Sequence, residues 1–142
     1  MSIDATPAPA GDYRGVAVEL VVPADSAFLL VVRTTTAAVA ARMDFTVDEI
    51  EDLRIAVYEA CAMLLSDSSQ AQQLACRFAL DGDELAVTVQ SSGPSGHPPS
   101  TDSFAWTVLT ALVGTVDTET GPDGRVRLTL RKRRGADQPW VS

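Results

Sequence analysis

The sequence predicts an α+β fold in which helices cover one face of a mixed β-sheet. Three segments carry apolar residues three or four positions apart, as amphipathic helices do, and five short runs have the composition of strands. Asp-Gly at positions 81–82 and Gly-Pro-Asp-Gly at 121–124 indicate two hairpins. The predicted order, β-α-α-β-β-α-β-β, is typical of a sheet with helices between its hairpins.

The first two elements are a strand over residues 16–22 and a helix that ends near Met43. The strand is β-branched and stops at Pro23, which cannot continue a sheet. Asp25 or Ser26 can cap the helix. Its predicted buried face consists of Phe28, Leu29, Val32, Thr36 and Val39.

A capping box opens the second helix. Thr46 and Glu49 stand three positions apart, so each side chain can bond the other's backbone amide. Acids in this first turn also favour the positive end of the helix dipole. The helix is expected to run to about Leu65, with an apolar face made of Ile50, Leu53, Val57, Cys61 and Leu64.

Two hairpins and a third helix complete the predicted domain. The four strands are expected at residues 74–80, 85–90, 116–120 and 125–131. Asp102 or Ser103 caps the helix between the hairpins, which carries Phe104, Val108, Leu109, Leu112 and Val113. The domain is expected over residues 16–134, between a flexible N-terminal arm, 1–15, and a C-terminal tail, 135–142.

Composition narrows the range of functions. The chain has 142 residues and a net charge of −8, which argues against direct nucleic-acid binding and suits a basic partner. Two cysteines, Cys61 and Cys76, and one histidine, His97, are too few for a zinc site, so reduced buried thiols are expected. No apolar run could span a bilayer and no signal peptide is evident, which predicts a cytoplasmic protein without membrane contact. A basic run at residues 131–134 is expected to be solvated.

Glu59 is the candidate for chemistry, because His97 has no evident partner for a triad and no P-loop occurs. The carboxylate lies near the apolar face of the second helix, and charged groups are rarely buried alone. Two interpretations stay open. Glu59 lies at the edge of the apolar stripe and reaches water, or it lines a pocket as a general base.

The stretch MDFTVDEIEDLRIAVYEACAMLL, residues 43–65, resembles the N-box helix of serine-kinase anti-sigma factors of the RsbW and SpoIIAB type. In that family the helix reads roughly D-E-I-E-D-L-K-I-A-V-S-E-A-C-T-N-A. The likeness extends upstream through VPADSAFLLVVRTTTAAVAARM and, more weakly, downstream through FAWTVLTALVGTVDTETGPDGRVRLTL. The family belongs to the GHKL superfamily, so the resemblance implies a Bergerat-type two-layer sandwich, with a mostly antiparallel sheet under three helices.

The resemblance implies a role for each matching residue. Glu59 falls on the family's general base, and Met63 replaces the asparagine that ligates magnesium. A thioether is a poor magnesium ligand. Ser91 replaces the aspartate that reads adenine, and of that box only Gly93 remains. Ser-Phe-Ala-Trp at positions 103–106 replaces a glycine motif that holds phosphates, so Phe104 and Trp106 are expected to fill that space.

The altered nucleotide-binding motifs predict a pseudokinase that binds no ATP, magnesium or other cofactor. Phosphoryl transfer needs a metal ligand, an adenine-binding residue and phosphate-binding amides together. The family's binding role would remain: it sequesters an alternative sigma factor of the stress or sporulation class, and a STAS-domain antagonist competes. Arg33 matches a family arginine that contacts both partners, although on its own it is also compatible with a plain surface residue. The family dimerises, so a homodimer is expected. An active serine kinase of a STAS protein, and a fold relic with another partner, are the alternatives.

Overall fold

The computed structural model describes residues 13–67, 73–92 and 99–135. Five strands and three α-helices follow in the predicted order. They are β1 (Val16–Pro23), α1 (Leu29–Arg42), α2 (Val47–Asp67), β2 (Gln73–Asp81), β3 (Glu84–Ser91), α3 (Phe104–Val113), β4 (Thr115–Thr120) and β5 (Val126–Arg133), with a short 3₁₀ turn at Ser26–Phe28 before α1. The α+β class predicted from the sequence is confirmed.

The strands form one sheet with the order β1-β2-β3-β5-β4. All four ladders are antiparallel, whereas the sequence predicted a mixed sheet. Two of the ladders, β2–β3 and β4–β5, follow from their connections, because a tight hairpin turn can only join antiparallel strands. At the first hairpin Asp81 pairs with Glu84, and Gly82 takes a positive φ of 64° in the two-residue turn.

The sheet is two-sided, and the core lies between its inner face and the helices. Strands β2, β3 and β5 alternate between buried and more exposed residues along most of their length. The buried inner set includes Phe78, Leu80, Leu85, Val87, Val89, Leu128 and Leu130. Helix α2 lies centrally, because it contacts both α1 and α3 as well as β3 and β5.

Helix α1 buries most of its predicted face: Leu29, Val32, Thr36 and Val39. The 3₁₀ turn before it is capped by Asp25, whose Oδ1 accepts from the Ala27 amide at 2.9 Å. Phe28 was predicted on the buried face but is 40% exposed. It lies in the 3₁₀ turn, where three residues per turn rotate a side chain away from the stripe that a 3.6-residue period predicts.

The predicted capping box of α2 is present. The Thr46 amide donates to Glu49 Oε1 at 2.8 Å, and the Glu49 amide donates to Thr46 Oγ1 at 3.2 Å. The second Glu49 oxygen, Oε2, accepts from the Gly135 amide at 2.7 Å, and the residue is only 2% exposed. One buried carboxylate therefore joins the start of α2 to the end of β5.

The two ends of the described domain make further contacts. The Gly82 amide donates to the Tyr13 carbonyl at 2.7 Å, and Arg42 Nε donates to the Tyr13 hydroxyl at 2.6 Å. At the other end, Arg134 donates to the Met43 carbonyl at 2.6 Å. Tyr13, predicted in the arm, and Gly135, predicted in the tail, thus contact the domain. Residues 1–12 and 136–142 lie outside the described part of the chain.

The basic run at residues 131–134 is not simply solvated. Lys132 is 3% exposed and its Nζ donates to the Leu112 carbonyl at 2.8 Å, near the end of α3. A lysine so deeply buried needs such an acceptor, since desolvation of an unpaired ammonium is costly. The run therefore connects β5 to α3 and, through Arg134, to the end of α1.

Both cysteines lie in the core, on facing elements. Cys61 of α2 is fully buried and Cys76 of β2 is 2% exposed, and both are free thiols, as the sequence predicted. A hydrogen bond between the two thiols, together with burial, raises the pKa of Cys61. A raised pKa keeps the thiol protonated and unreactive.

We expect replacement of Glu49 to lower the free energy of unfolding, by an amount that grows with the number of acceptor oxygens removed. Glu49→Gln retains one acceptor oxygen and should cost about 1–2 kcal/mol, whereas Glu49→Ala leaves two amides without their acceptor and should cost about 2–4 kcal/mol. Urea unfolding followed by circular dichroism measures both. Glu51→Ala is the matched control, because Glu51 is exposed and pairs only with Arg54 on the surface. Equal losses for Glu49→Ala and Glu51→Ala would contradict the assignment.

We also expect the two thiols to be protected in the native state. In a discontinuous alkylation assay at pH 8, iodoacetamide should modify the native chain at least about 100-fold more slowly than the chain unfolded in guanidinium chloride. The reason is that buried thiols react only through local opening. Mass spectrometry counts the modified cysteines. Rapid modification of either cysteine in the folded protein would show that this part of the core opens readily.

Candidate functional site

The candidate site lies on α2, where Glu59 and Met63 stand one helical turn apart and therefore share a side of the helix. Both side chains are half-buried, and Met63 packs against the rim of the core. The neighbouring positions Ala56, Ala60 and Cys61 are fully buried. Glu59 is thus at the margin of the apolar face, which favours the interpretation that its carboxylate reaches water.

The residues at this margin do not fit a magnesium ion. Magnesium prefers oxygen ligands in octahedral geometry, and Met63 offers a sulfur where the family pattern has an amide oxygen. Among the described residues, no group of three or more histidine, cysteine, aspartate or glutamate side chains could hold a metal ion. In the family pattern an acid and an asparagine stand at these two positions, whereas here only Glu59 offers an oxygen to a metal ion.

Ser91, the predicted remnant of the adenine box, is the last residue of β3. It stands opposite Leu74 of β2 and is 1% exposed. The alternation along β3 puts it on the inner face with Val87 and Val89, toward the helices. A neutral hydroxyl there cannot supply the charged acceptor that an aspartate provides. Gly93, the other predicted residue of this box, lies outside the described residues, as does His97.

One amide in the first turn of α3 is bonded by the helix's own cap. Ser103 Oγ accepts from the Trp106 amide at 3.1 Å, and the Ser103 carbonyl accepts from the Thr107 amide at 3.2 Å. An amide that the family pattern leaves for phosphate is therefore already bonded. Trp106 is half-buried against the core, whereas Phe104 is 83% exposed. Phe104 was expected to fill the phosphate space, but as the first residue of the capped helix it points into solvent.

Arg33 lies on α1 and faces Tyr58 of α2. The guanidinium carbon is 5.5 Å from the centroid of the tyrosine ring, within the range of a cation–π interaction. Arg33 Nε is buried and has no hydrogen-bond partner among the described residues. Arg33 was predicted from the sequence as a site residue, but Tyr58 was not. Its position next to Glu59, on the helix that packs against α1, is the sequence feature that indicates it.

A shallow depression of about 740 Å³ lies on the outer face of the sheet, away from these residues. Its floor is made of small side chains, including Ala79, Ala86 and Thr88, and ion pairs lie at its margins, Arg77–Glu19 at 3.5 Å and Arg127–Glu119 at 3.6 Å. Cys76 and Arg131 line it, but Glu59, Met63, Ser91 and Arg33 do not. An open polar face is ordinary for an antiparallel sheet with helices on its other side. Separately, no helix in the described ranges is long and apolar enough to cross a bilayer.

Comparisons with known proteins agree with the motif on α2. The chain is 38% identical over 81 residues to serine-protein kinase RsbW of Bacillus subtilis, covering 55% of this chain and 51% of the relative. It is 30% identical over 102 residues to the RsbW of Bacillus mycoides, covering 70% of this chain and 59% of the relative. The alignments thus span about half the length of the curated relatives. No family profile matches the chain.

A solved structure has the same fold. The crystal structure of the RsbU and RsbW domains of Rv1364c from Mycobacterium tuberculosis superposes with a TM-score of 0.64, at 18% identity, over 84% of this chain and 32% of that one. At this identity the likeness concerns the fold alone. Sequence and fold nevertheless lead to the same relatives, and the resemblance inferred from the α2 motif is confirmed: this chain is related to the anti-sigma kinases of the RsbW type.

Proposed function

We propose that this protein is a cytoplasmic anti-sigma factor that has lost its kinase chemistry. It binds an alternative sigma factor of the stress or sporulation class and keeps that factor from the core RNA polymerase. The observation that carries the proposal is the α2 helix, which retains the sequence of RsbW-type proteins and their acid, Glu59, while Met63 replaces a magnesium ligand. A STAS-domain protein is the proposed antagonist, and the sigma factor and its polymerase place the complex in the cytoplasm.

Three local features support the loss of ATP binding. Met63 offers sulfur instead of oxygen, Ser91 offers a buried neutral hydroxyl, and Ser103 occupies an amide at the start of α3. Phosphoryl transfer needs the metal ion, a correctly positioned nucleotide and the general base at the same time. The loss of several of these groups therefore lowers the reaction rate far more than the loss of one. We infer that no ATP or magnesium is required for the binding role.

A homodimer fits the exposed surface of β1. This strand is at one edge of the sheet, and its unpaired backbone groups run beside Val16, Val18 and Val21, which are 40%, 38% and 58% exposed. Leu30, in the first turn of α1, is 63% exposed. Edge strands with exposed apolar side chains tend to pair with another chain. The features therefore support a dimer through β1 and α1.

The alternative function is an ATP-dependent serine kinase that phosphorylates a STAS-domain anti-anti-sigma factor. Two observations favour it: Glu59 stands where the family has its general base, and the relatives are serine-protein kinases by name. A third alternative, a fold relic that binds another regulator, retains the fold but predicts no effect on a sigma factor. The two experiments below separate these three functions.

We expect the protein to inhibit sigma-dependent transcription without ATP pretreatment. Purified alternative sigma factors of the same bacterium are incubated with the protein, followed by core polymerase and a matching promoter. At saturation the transcript of one sigma factor should fall at least about tenfold, and Arg33→Ala should raise the half-inhibiting concentration about tenfold, as for an interface anchor. Arg125→Ala is the control, because Arg125 lies in the last hairpin and pairs with Asp123. Undiminished transcription with every sigma factor would rule out the proposed function.

We expect no binding of magnesium-ATP tighter than about 1 mM by calorimetry, which corresponds to about 4 kcal/mol. Met63→Asn should restore little affinity, because Ser91 and the Ser103 cap remain. Unfolding is measured alongside, so that a failure to bind is not a failure to fold. Binding by the wild-type chain would support the kinase alternative. Strong binding by Met63→Asn alone would show that Met63 is the one decisive loss.

A further inference from the structure

Arg33 differs from the other described arginines in how its charge is satisfied. Most of them pair with a carboxylate or donate to an oxygen, as Arg54 does to Glu51 at 2.6 Å and Arg134 does to the Met43 carbonyl at 2.6 Å. Within the described residues, Arg33 has no acidic partner and no hydrogen-bond acceptor. Its guanidinium carbon instead lies 5.5 Å from the centroid of the Tyr58 ring.

The missing acceptor has an energetic consequence. Arg33 Nε is buried, and a buried donor without an acceptor costs free energy that a ring face only partly recovers. This chain carries 19 acidic against 11 basic residues, so a carboxylate partner for Arg33 would be easy to provide. Because Nε is inaccessible, a docking protein can reach this guanidinium only through its two terminal nitrogens, which also have no acceptor among the described residues.

A comparison within the molecule shows that the arrangement is specific. The other cation–π pair, Arg42 over Tyr13 at 6.0 Å, has its Nε satisfied, because that atom donates to the Tyr13 hydroxyl at 2.6 Å. At Arg33 the tyrosine supplies its ring but no oxygen to Nε. In the Tyr13 pair Nε thus has an acceptor, while in the Tyr58 pair Nε has none among the described residues.

We propose that Tyr58 is a positioning residue of the partner-binding surface. Its ring holds the Arg33 guanidinium against α2 in one orientation with Nε buried, so that the two terminal nitrogens can donate to oxygen acceptors of the docking protein. A pre-ordered arginine binds with a smaller loss of side-chain entropy than a mobile one. The inference rests on the proposed anti-sigma function and adds to it a residue on α2 next to Glu59.

The test measures binding of the sigma factor identified in the transcription assay to four variants, by surface plasmon resonance. Tyr58→Leu removes the ring face but retains apolar volume, and should raise Kd about 3- to 30-fold, the range of a cation–π contact. Tyr58→Phe retains the ring and should recover binding to within about threefold of wild type. Tyr13→Leu removes the closed pair and should leave Kd unchanged. Arg33→Ala measures the whole contribution of the arginine.

Two readouts distinguish positioning from a merely structural role. In the double variant Tyr58→Leu/Arg33→Ala the losses should not add, because the ring acts through the arginine. In the unbound protein, the Arg33 Nε–H signal in a nitrogen-edited NMR spectrum should exchange faster with water in Tyr58→Leu than in Tyr58→Phe.

The outcomes separate this inference from the function on which it rests. Absence of binding by the wild-type chain to every sigma factor would overturn the proposed function and this inference with it. Binding by Tyr58→Leu within twofold of wild type, with the wild type bound, would overturn the inference alone. Additive losses in the double variant would do the same.

Discussion

The position of α2 depends on one buried carboxylate. Glu49 is 2% exposed, and its two oxygens accept from Thr46 in the loop before the helix and from Gly135 after the last strand. Residues that are 86 positions apart in sequence are thus joined through one side chain. A buried charge is tolerated only where hydrogen bonds replace its hydration, so this carboxylate requires both amides at fixed positions. The register of α2 against the sheet, and therefore the position of Glu59 and Tyr58, follows from that requirement.

The two sides of α2 are under different constraints. The side toward the sheet carries Ala56, Ala60 and Cys61, all fully buried, where a change of volume creates a cavity or a clash. The other side carries Glu59 and Met63, which are only half-buried. An amide can be exchanged for a thioether of similar length at such a margin with little effect on packing, although the exchange removes an oxygen ligand. A helix of this kind can lose a metal ligand and still hold its fold.

The fold could be predicted from the sequence because the features that indicate its helices and turns are local. The capping box at Thr46 and Glu49, the Gly82 turn and the Ser103 cap each depend on residues within a few positions, and each has the predicted geometry. Phe28 and Phe104 were misassigned because a helical period was extended into a 3₁₀ turn and to the first residue of a capped helix. The Glu49–Gly135 bond and the Arg33–Tyr58 contact could not be predicted, since each joins elements whose spacing only the folded chain sets.

The proposed loss of phosphoryl transfer changes how such a protein can be switched. A kinase inactivates its antagonist covalently, so its state depends on nucleotide supply and elapsed time. A binding protein without that chemistry responds only through the concentrations and affinities of its two partners. A ligand can shift an equilibrium only as far as its affinities for the two states differ. Residues that set the affinity for each partner therefore control which partner is bound. A guanidinium pre-ordered on Tyr58, with no acceptor among the described residues of the free chain, is such a point, since each partner gains from it only as far as its own oxygens reach the terminal nitrogens of Arg33.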